Sequence, residues 1–262
     1  MTIIYQISPK MLSKIKIIHL DKTSSTQDAI IEYLKNDYYS SLLLIAKIQT
    51  KGRGRKEDDW ESPVGGFWAT LGISTSKQFS NAQLALFHYF TAILLTRVIK
   101  EEFNIKIQVK WPNDLLYDNK KLAGILIDYI ISSQKNYLLI GMGVNLNNSR
   151  YEMPKNLESI TISIKDIINK NISLDEFGHQ ICNYADHYFS PIIDNKLSEI
   201  QELIQEYNMQ LRIYGKEVIL DDSKRYFCEG IDKEGLLLFK NEEGDFLLSI
   251  DDLTRIKKII SP

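Results

Sequence analysis

Two short stretches of the sequence concentrate side chains that can hold an anion. The first is KGRGRK, residues 51–56, in which Arg53 and Arg55 alternate with two glycines. Glycines expose backbone N–H groups to a ligand, and guanidinium groups bind phosphate or carboxylate through two parallel hydrogen bonds. In an extended loop, arginines two positions apart are expected to point the same way. Taken alone, the stretch fits an anion-binding loop or, more simply, a solvated basic turn balanced by the acidic residues 57–59.

The second stretch is KWPNDLLYDNKKLAG, residues 110–124. Asp114 follows a predicted strand that Pro112 interrupts, a position suited to a carboxylate that associates with magnesium. Lys121 begins the next predicted strand, and Gly124 allows another group to approach the backbone closely. A lone Asp or Lys is more often a surface residue, so this stretch gains weight only beside the Gly-Arg loop.

A third segment, GMGVN at residues 141–145, follows an apolar run. The pattern suggests a nucleotide-binding site, but it lacks the third glycine of the dinucleotide fingerprint, and no helix clearly follows it. Taken by itself, the segment is therefore weak support for a nucleotide-binding site.

Regular elements must bring these stretches together. Apolar and β-branched runs predict strands over residues 15–20, 41–48, 67–74, 105–130 (three strands) and 136–147. The predicted helices cover residues 25–34, 81–103 and most of 159–210, the first of them capped by Ser25 or Thr26. The most apolar run, Leu84 to Ile99, contains a histidine and an arginine. We expect it to be a buried helix that is too short to span a bilayer.

The pattern changes at Arg212. Short predicted strands follow, separated by Asp, Gly and Asn turns. A small β-barrel of roughly 50 residues fits this pattern and is expected to pack on the first domain. The predicted domains are therefore residues 1–211 and 212–262.

Composition narrows the class of protein. The formal net charge is −2 over 262 residues, and the cations are spread along the chain, which argues against a dedicated nucleic-acid binder. Cys182 and Cys228 lie far apart, so no disulfide framework is implied and a reducing cytoplasm is the expected location. The N-terminus lacks the features of a signal peptide. We expect a cytoplasmic protein that binds neither nucleic acid nor a membrane.

The order of the motifs resembles that of the biotin protein ligase family. The resemblance rests on SSTQD, IQTKGRGR, WESPVGG, KWPNDLLYDNKKLAGILID and IGMGVNLN, which occur in the family's order and at its spacing. It covers residues 17–147 strongly, and GIDKEGLLLF resembles the family's small C-terminal domain more loosely. Five motifs in one order seldom arise by chance, so the chain is identified as a member of this family.

The resemblance implies an α+β fold. A catalytic domain with a mixed sheet and flanking helices, similar to class II aminoacyl-tRNA synthetases, would be followed by an SH3-like β-barrel. The implied reaction has two steps: biotin and ATP, with Mg²⁺, give biotinyl-5′-AMP and pyrophosphate, and a carrier-protein lysine then attacks the mixed anhydride. The implied partner is the biotin carboxyl carrier protein of acetyl-CoA carboxylase, and the expected state is a monomer or a homodimer.

The resemblance also implies roles for residues of the motifs. The implied biotin-binding set is Ser25, Thr26, Gln49, Gly52, Arg53, Lys121 and Gly124, and the valeryl tail is expected to meet Trp68 and the LAGIL run. The implied set for ATP and the adenylate is Arg53, Arg55, Trp60, Lys121 and Asn145, with Asp114 holding Mg²⁺ through ATP. The implied catalytic residues, which offset the repulsion between a carboxylate and the α-phosphate, are Lys121, Arg55 and Arg53.

The chain departs from the family pattern in the loop itself. Members commonly read Gly-Arg-Gly-Arg-X-Gly-Arg-X-Trp, whereas here Glu57 stands at a usual glycine and Asp58 at a usual arginine. The loop loses a cation and gains carboxylates near the expected phosphates, which bears on the strength of ATP binding. Residues 1–14 are too few for the DNA-binding helix pair that many relatives carry, so a ligase without that domain is expected.

Other functions stay open on the sequence alone. A lipoate or octanoate ligase would share the fold, but the Arg-Arg-X-X-Gly-Gly-Gly signature of that family is absent. A catalytically weakened biotin-binding protein would result if the KEDD segment, residues 56–59, disables the use of ATP. A nucleic-acid module using KGRGRK is disfavoured by the near-neutral net charge and by the lack of interleaved aromatic residues.

Overall fold

The computed structural model describes residues 12, 15–35, 39–248 and 256–260 of the chain. A seven-stranded mixed sheet and a five-stranded antiparallel sheet organise these residues. The large sheet and its flanking helices confirm the predicted mixed α+β class.

The large sheet holds the predicted strands of the first domain. Its strands are β1 (Lys16–Thr23), β2 (Ser41–Gln49), β3 (Phe67–Thr75), β4 (Gln108–Lys110), β5 (Asp114–Tyr117), β6 (Lys120–Ile130) and β7 (Asn136–Val144). They lie in the order β1-β2-β3-β7-β6-β5-β4. Strands β1 and β2 are parallel, and the other neighbouring pairs are antiparallel.

Six α-helices accompany the sheets in the described part of the chain. They are α1 (Thr26–Lys35), α2 (Asn81–Phe103), α3 (Lys155–Glu158), α4 (Ile164–Ile168), α5 (Leu174–Ile193) and α6 (Leu197–Gln210). The Ser25 hydroxyl caps α1 by accepting a hydrogen bond from the backbone N–H of Gln27 at 3.2 Å. Helix α2 begins at a capping box formed by Ser80 and Gln83.

Strand β2 lies between two layers of helices, which explains its uninterrupted apolar run. Leu42 and Leu44 pack with residues of α1 on one face of the sheet. Leu43 and Ile45 face the main core, which includes α2 and α5, on the other. The alternation follows from the two-residue period of a strand.

Helix α2 is the central helix of the main core. By length and composition its 23 residues could cross a membrane, but 78% of its most apolar window is buried inside the protein. The expectation of a buried helix is confirmed, whereas the expectation that the segment is too short to span a bilayer is wrong. The helix is apolar almost all round because α5, α6 and the sheet cover it.

The C-terminal sheet consists of β8 (Glu217–Leu220), β9 (Arg225–Ile231), β10 (Leu237–Asn241), β11 (Gly244–Leu248) and β12 (Ile256–Ile260), in the order β11-β10-β9-β8-β12. Residues 212–215 form a turn, so the first of these strands begins later than the sequence predicts. The sheet contacts the first domain where the Tyr89 hydroxyl donates to the Gly235 carbonyl at 2.9 Å. An SH3-like closure and the boundary between residues 211 and 212 stay predictions.

Candidate active site

A cavity of about 560 Å³ lies between the Gly-Arg loop and the face of the large sheet. It is bounded by the N-terminus of α1, by the loop after β2, and by strands β3, β6 and β7. Of the residues predicted to form the site, nine line this cavity: Ser25, Thr26, Gln49, Arg53, Arg55, Trp60, Asp114, Lys121 and Gly124. The structure therefore brings these nine residues together around one cavity, and their roles in binding stay predictions.

Hydrogen bonds link the polar residues at the α1 end of the cavity. The Thr70 hydroxyl donates to the Thr26 hydroxyl at 2.8 Å. The backbone N–H and the hydroxyl of Thr26 both donate to Gln49 Oε1, at 2.8 and 3.0 Å. Gln49 Nε2 donates to the Ser62 hydroxyl at 2.8 Å. The network holds Thr26 and Gln49 in place and uses both acceptor positions of the Gln49 amide oxygen.

The Gly-Arg loop is a tight turn with its own backbone hydrogen bonds. The Gly54 N–H donates to the Asp58 carbonyl at 2.7 Å, and the Trp60 N–H donates to the Gly52 carbonyl at 2.9 Å. A Cβ atom at Gly52 would lie 2.3 Å from the Trp60 carbonyl oxygen, so only glycine fits there. Gly52 does not line the cavity, and its implied contact with biotin stays a prediction beside this structural role.

The two arginines of the loop have different neighbours, contrary to the expectation that they point the same way. Arg53 Nη1 lies 2.9 Å from Asp28 Oδ1 and 3.0 Å from Asp128 Oδ2. Arg55 lies at the junction with a second cavity, whose wall includes His88 of α2. The reason is the short 3₁₀ turn at residues 55–57, which ends the extended conformation that same-side arginines require.

His88 is a buried neutral base behind the loop. The pKa of His88 is lowered to about 3, mainly because burial removes the ring from water and also because the positive charge of Arg55 lies nearby. A histidine in this state carries no charge at neutral pH, so it does not add to the cations around the cavity.

Lys121 and Asp114 form the ionic end of the cavity. Lys121 Nζ lies 2.7 Å from Asp114 Oδ1 and 4.8 Å from the ring centroid of Trp60. Lys110 Nζ lies 3.8 Å from the other carboxylate oxygen of Asp114. A two-residue turn with positive φ angles at Asp118 and Asn119 joins β5 to β6 and so brings the two partners side by side.

Glycines form the floor of the cavity. Gly124 and Gly143 are opposite each other on β6 and β7. A Cβ atom at either position would lie less than 3 Å from the Trp60 ring. Gly141 lies two residues from Gly143 within β7, and a Cβ there would approach the Gln27 amide to 3.1 Å. The GMG segment is therefore strand, and its missing side chains make room for Trp60 and Gln27.

Two residues implied in ligand binding lie outside the cavity wall. Asn145 is buried; its Nδ2 donates to the Lys121 carbonyl at 3.3 Å, and its Oδ1 accepts from Asn148 at 3.0 Å. Its place is to hold the backbone that carries Lys121. Trp68 is also fully buried and meets the Trp60 ring edge-on at 6.4 Å, and its contact with the valeryl tail stays a prediction.

The sequence reasoning missed several residues of the cavity wall, above all Gln27, Thr70 and Lys110. Gln27 follows Thr26 in the SSTQD motif, so its motif could have drawn attention to it. Thr70 is a polar residue in an apolar strand, which is a weaker signal. Within the described residues, no group of three or more His, Cys, Asp or Glu side chains could hold a metal ion.

Comparison with known proteins identifies the family to which this fold is similar. A model of the biotin/lipoate A/B protein ligase family matches residues 20–145, the segment that supplies every residue of the cavity wall. The fold and the site are thus those of a ligase domain of the biotin and lipoate class.

Individual relatives narrow the class further. The chain is 31% identical over 244 residues to the bifunctional ligase/repressor BirA of Bacillus subtilis, covering 87% of this chain and 70% of that protein. It is 29% identical over 223 residues to human biotin–protein ligase, covering 78% and 29%. A structure of Aquifex aeolicus biotin protein ligase in complex with biotin and ATP matches with a TM-score of 0.75 and 25% identity, covering 92% and 97%. The chain belongs to the biotin/lipoate A/B protein ligase family, and within it to the biotin–protein ligases.

Proposed function

We propose that this chain attaches biotin to a lysine of the biotin carboxyl carrier protein of acetyl-CoA carboxylase, in two steps and through biotinyl-5′-AMP. Biotin and ATP are the small substrates, and the carrier lysine is the final acceptor. A cytoplasmic location and a monomeric or homodimeric state belong to the same proposal.

The observation that supports this proposal is the order of polar and apolar groups along the cavity. The ionic pair of Lys121 and Asp114 lies at one end, Trp60 covers the glycine floor in the middle, and Thr26 lies in the hydrogen-bonded network at the other end. The residues of the floor, Gly143 and Gly141, lie about 7 Å apart along the strand. This order suits a molecule with a carboxylate at one end and a neutral hydrogen-bonding ring at the other.

The ionic end would serve the first step. A carboxylate attacks the α-phosphate of ATP, so two anionic groups must be held together before pyrophosphate leaves. The Lys121 ammonium is positioned to offset this repulsion, and Asp114 and the Trp60 ring fix its place. Arg53, from the cavity wall, would add a second positive charge near the adenylate.

Magnesium would enter this site with the nucleotide. Asp114 offers a single carboxylate that already lies between two lysines, at 2.7 and 3.8 Å. The donors fit an ion that takes one protein oxygen and several phosphate and water oxygens, which is the usual way in which Mg²⁺ is bound beside nucleotides. Asp114 would then hold the ion and keep Lys121 oriented.

Biotinylation of a carrier domain, detected with streptavidin, tests the proposal. The protein is incubated with biotin, ATP, Mg²⁺ and a biotin carrier domain, and the carrier is then probed with streptavidin. A parallel reaction with lipoate tests the lipoate-ligase alternative, and biotin-dependent exchange of pyrophosphate into ATP tests for a protein that binds biotin without activating it. Labelled carrier in the biotin reaction alone supports the proposal, whereas lipoylated carrier or absent exchange overturns it.

A further inference from the structure

The Tyr89 hydroxyl connects two residues that lie far apart in the chain, Trp111 and Gly235. The Trp111 indole N–H donates to this hydroxyl at 3.2 Å, and the hydroxyl donates to the Gly235 carbonyl at 2.9 Å. Trp111 belongs to the wall of the cavity, whereas Gly235 lies in the turn between β9 and β10 of the C-terminal sheet. Two hydrogen bonds therefore link the cavity wall to the C-terminal sheet through one side chain of α2.

Burial makes these two hydrogen bonds strong constraints. Tyr89 is fully buried and Trp111 is 5% exposed, and the Tyr89 ring packs on the Tyr207 ring of α6 with 4.7 Å between the centroids. Removal of the hydroxyl would leave an indole N–H and a carbonyl without partners in an interior largely closed to water, which is unfavourable. Burial also raises the pKa of Tyr89, so the hydroxyl stays protonated and can donate and accept at once.

The turn that begins at Trp111 leads to the carboxylate at the ionic end of the cavity. Residues 111–113 join β4 to β5, and Asp114 follows immediately. At the end of the turn, the Asn113 amide donates to the Ile125 carbonyl at 3.1 Å, and the Asn113 carbonyl accepts from the Ile125 N–H at 3.0 Å. At its start, the turn is held by the indole hydrogen bond to α2. The position of Asp114 therefore depends on both attachments.

We infer that Tyr89 is a positioning residue for the first step and that the C-terminal sheet acts on the cavity through it; this rests on the proposed function. The Gly235 carbonyl orients the Tyr89 hydroxyl, which holds the Trp111 ring. The ring holds the turn that presents Asp114 to Lys121. Tyr89 itself lies behind the cavity wall, so it acts on the placement of the reacting groups and not on the affinity for biotin.

Substitution of Tyr89 by phenylalanine tests the inference, because it removes the hydroxyl and keeps the ring. We expect the maximal rate of biotin-dependent pyrophosphate exchange to fall about tenfold, since small misplacements of reacting groups are costly. The Kd for biotin, measured by calorimetry, should stay within about twofold. A residue with only a structural role would instead reduce the number of biotin sites and the exchange rate in proportion. The control is Tyr226→Phe, which removes a hydroxyl that donates to Asp222 at 2.7 Å and should leave both quantities unchanged.

Gly235→Ala tests the connection from the side of the C-terminal sheet. A Cβ atom there would lie 2.9 Å from the Cβ atom of Ala85 on α2, so the turn must move away from the helix and its carbonyl away from Tyr89. The exchange rate should fall as it does in Tyr89→Phe. In NMR spectra, the indole N–H resonance of Trp111, assigned with Trp111→Phe, should shift in both variants and not in Tyr226→Phe.

The outcomes separate this inference from the proposed function. If the unchanged protein exchanges pyrophosphate and both variants, shown to be folded by thermal unfolding, exchange it equally fast, the inference alone fails. A Trp111 resonance that Gly235→Ala leaves unmoved overturns it as well. If the unchanged protein shows no biotin-dependent exchange, the proposed function fails and the inference fails with it. Should either Tyr89→Phe or Gly235→Ala not fold, the other variant must show both effects for the inference to stand.

Discussion

Lys121 Nζ lies 2.7 Å from Asp114 Oδ1, across two neighbouring strands of the large sheet. Lys121 is a third exposed at its side chain and Asp114 only 16% exposed, so the pair borders the cavity without being fully open to solvent. The backbone of Lys121 is held as well, because its N–H donates to Ile160 and its carbonyl accepts from Ile162. The ammonium is therefore fixed at the end of the cavity before a substrate arrives.

Substitution of this lysine should stop the first step. Lys121→Ala removes the cation at the reacting phosphate, and we expect the rate of adenylate formation to fall by ~10²–10³. Exchange of pyrophosphate into ATP in the presence of biotin measures this rate. Lys120→Ala, the adjacent strand residue that does not line the cavity, is the matched control. Near-normal exchange by Lys121→Ala would remove Lys121 from the catalytic set.

Substitution of its partner should change the requirement for magnesium. Asp114→Asn keeps the shape of the side chain and removes the charge that holds Lys121 and, in the proposed complex, the ion. We expect a higher Mg²⁺ concentration for half-maximal pyrophosphate exchange, together with a lower maximal rate. A lower rate with an unaltered Mg²⁺ dependence would show that Asp114 acts only by orienting Lys121.

The sequence predicted the fold of the first domain well because its signals are local. The short apolar run of β2 predicts a buried strand, and the long apolar stretch of α2, which contains no glycine or proline, predicts a buried helix. The DNKK turn at residues 118–121 leaves little choice of connection between β5 and β6. The contacts of the site residues are harder to predict, because a motif shows that a polar side chain is present but not what it contacts. Asn145 is the example: its amide serves the Lys121 backbone, and nothing in GMGVN distinguishes that from a nucleotide contact.

The ion pairs of Arg53 should control the stability of the Gly-Arg loop. Asp128 is 25% exposed at its side chain and Asp28 is 56% exposed. A partly buried pair is screened less by solvent, so Asp128→Asn should loosen the loop more than Asp28→Asn does. Limited trypsin digestion reports this, because the loop carries cleavable bonds after Lys51 and Arg53. We expect several-fold faster cleavage for Asp128→Asn; equal rates for both variants would argue against the role of Asp128.

His88 should make the protein sensitive to acid. Its pKa in the folded state is about 3, below its ordinary value of 6.5. Above pH 6.5 both folded and unfolded forms are neutral, whereas between pH 6.5 and 3 the unfolded form binds the additional proton. The free energy of unfolding should therefore fall by up to about 1.4 kcal/mol per pH unit in this window because of this residue. Urea titrations of His88→Gln should show a shallower dependence on pH; an unchanged slope would contradict the assignment.

Asp58 lines the cavity, and it stands where the expected family pattern has an arginine. Its negative charge lies near the expected ATP phosphates, so it should weaken ATP binding in a way that added salt reduces. We expect Asp58→Asn to lower the KM for ATP by a few-fold at low ionic strength, equivalent to ~0.5–1 kcal/mol, and Asp58→Arg to lower it further. The affinity for biotin without ATP should be unaffected.

An increase in the KM for ATP would also have a physical explanation. The measurement on Asp58→Asn therefore distinguishes two roles of the carboxylate. A carboxylate beside a triphosphate can repel it directly or attract the Mg²⁺ that accompanies it. Repulsion predicts a lower KM for Asp58→Asn and a difference that shrinks as salt increases, whereas recruitment of the ion predicts a higher KM. Asp118→Asn, the same change in the exposed turn between β5 and β6, controls for net charge. If Asp118→Asn lowers the KM for ATP as much as Asp58→Asn does, the effect is due to the overall charge of the protein. A higher KM for Asp58→Asn at low salt would instead show that the Asp58 carboxylate assists ATP binding.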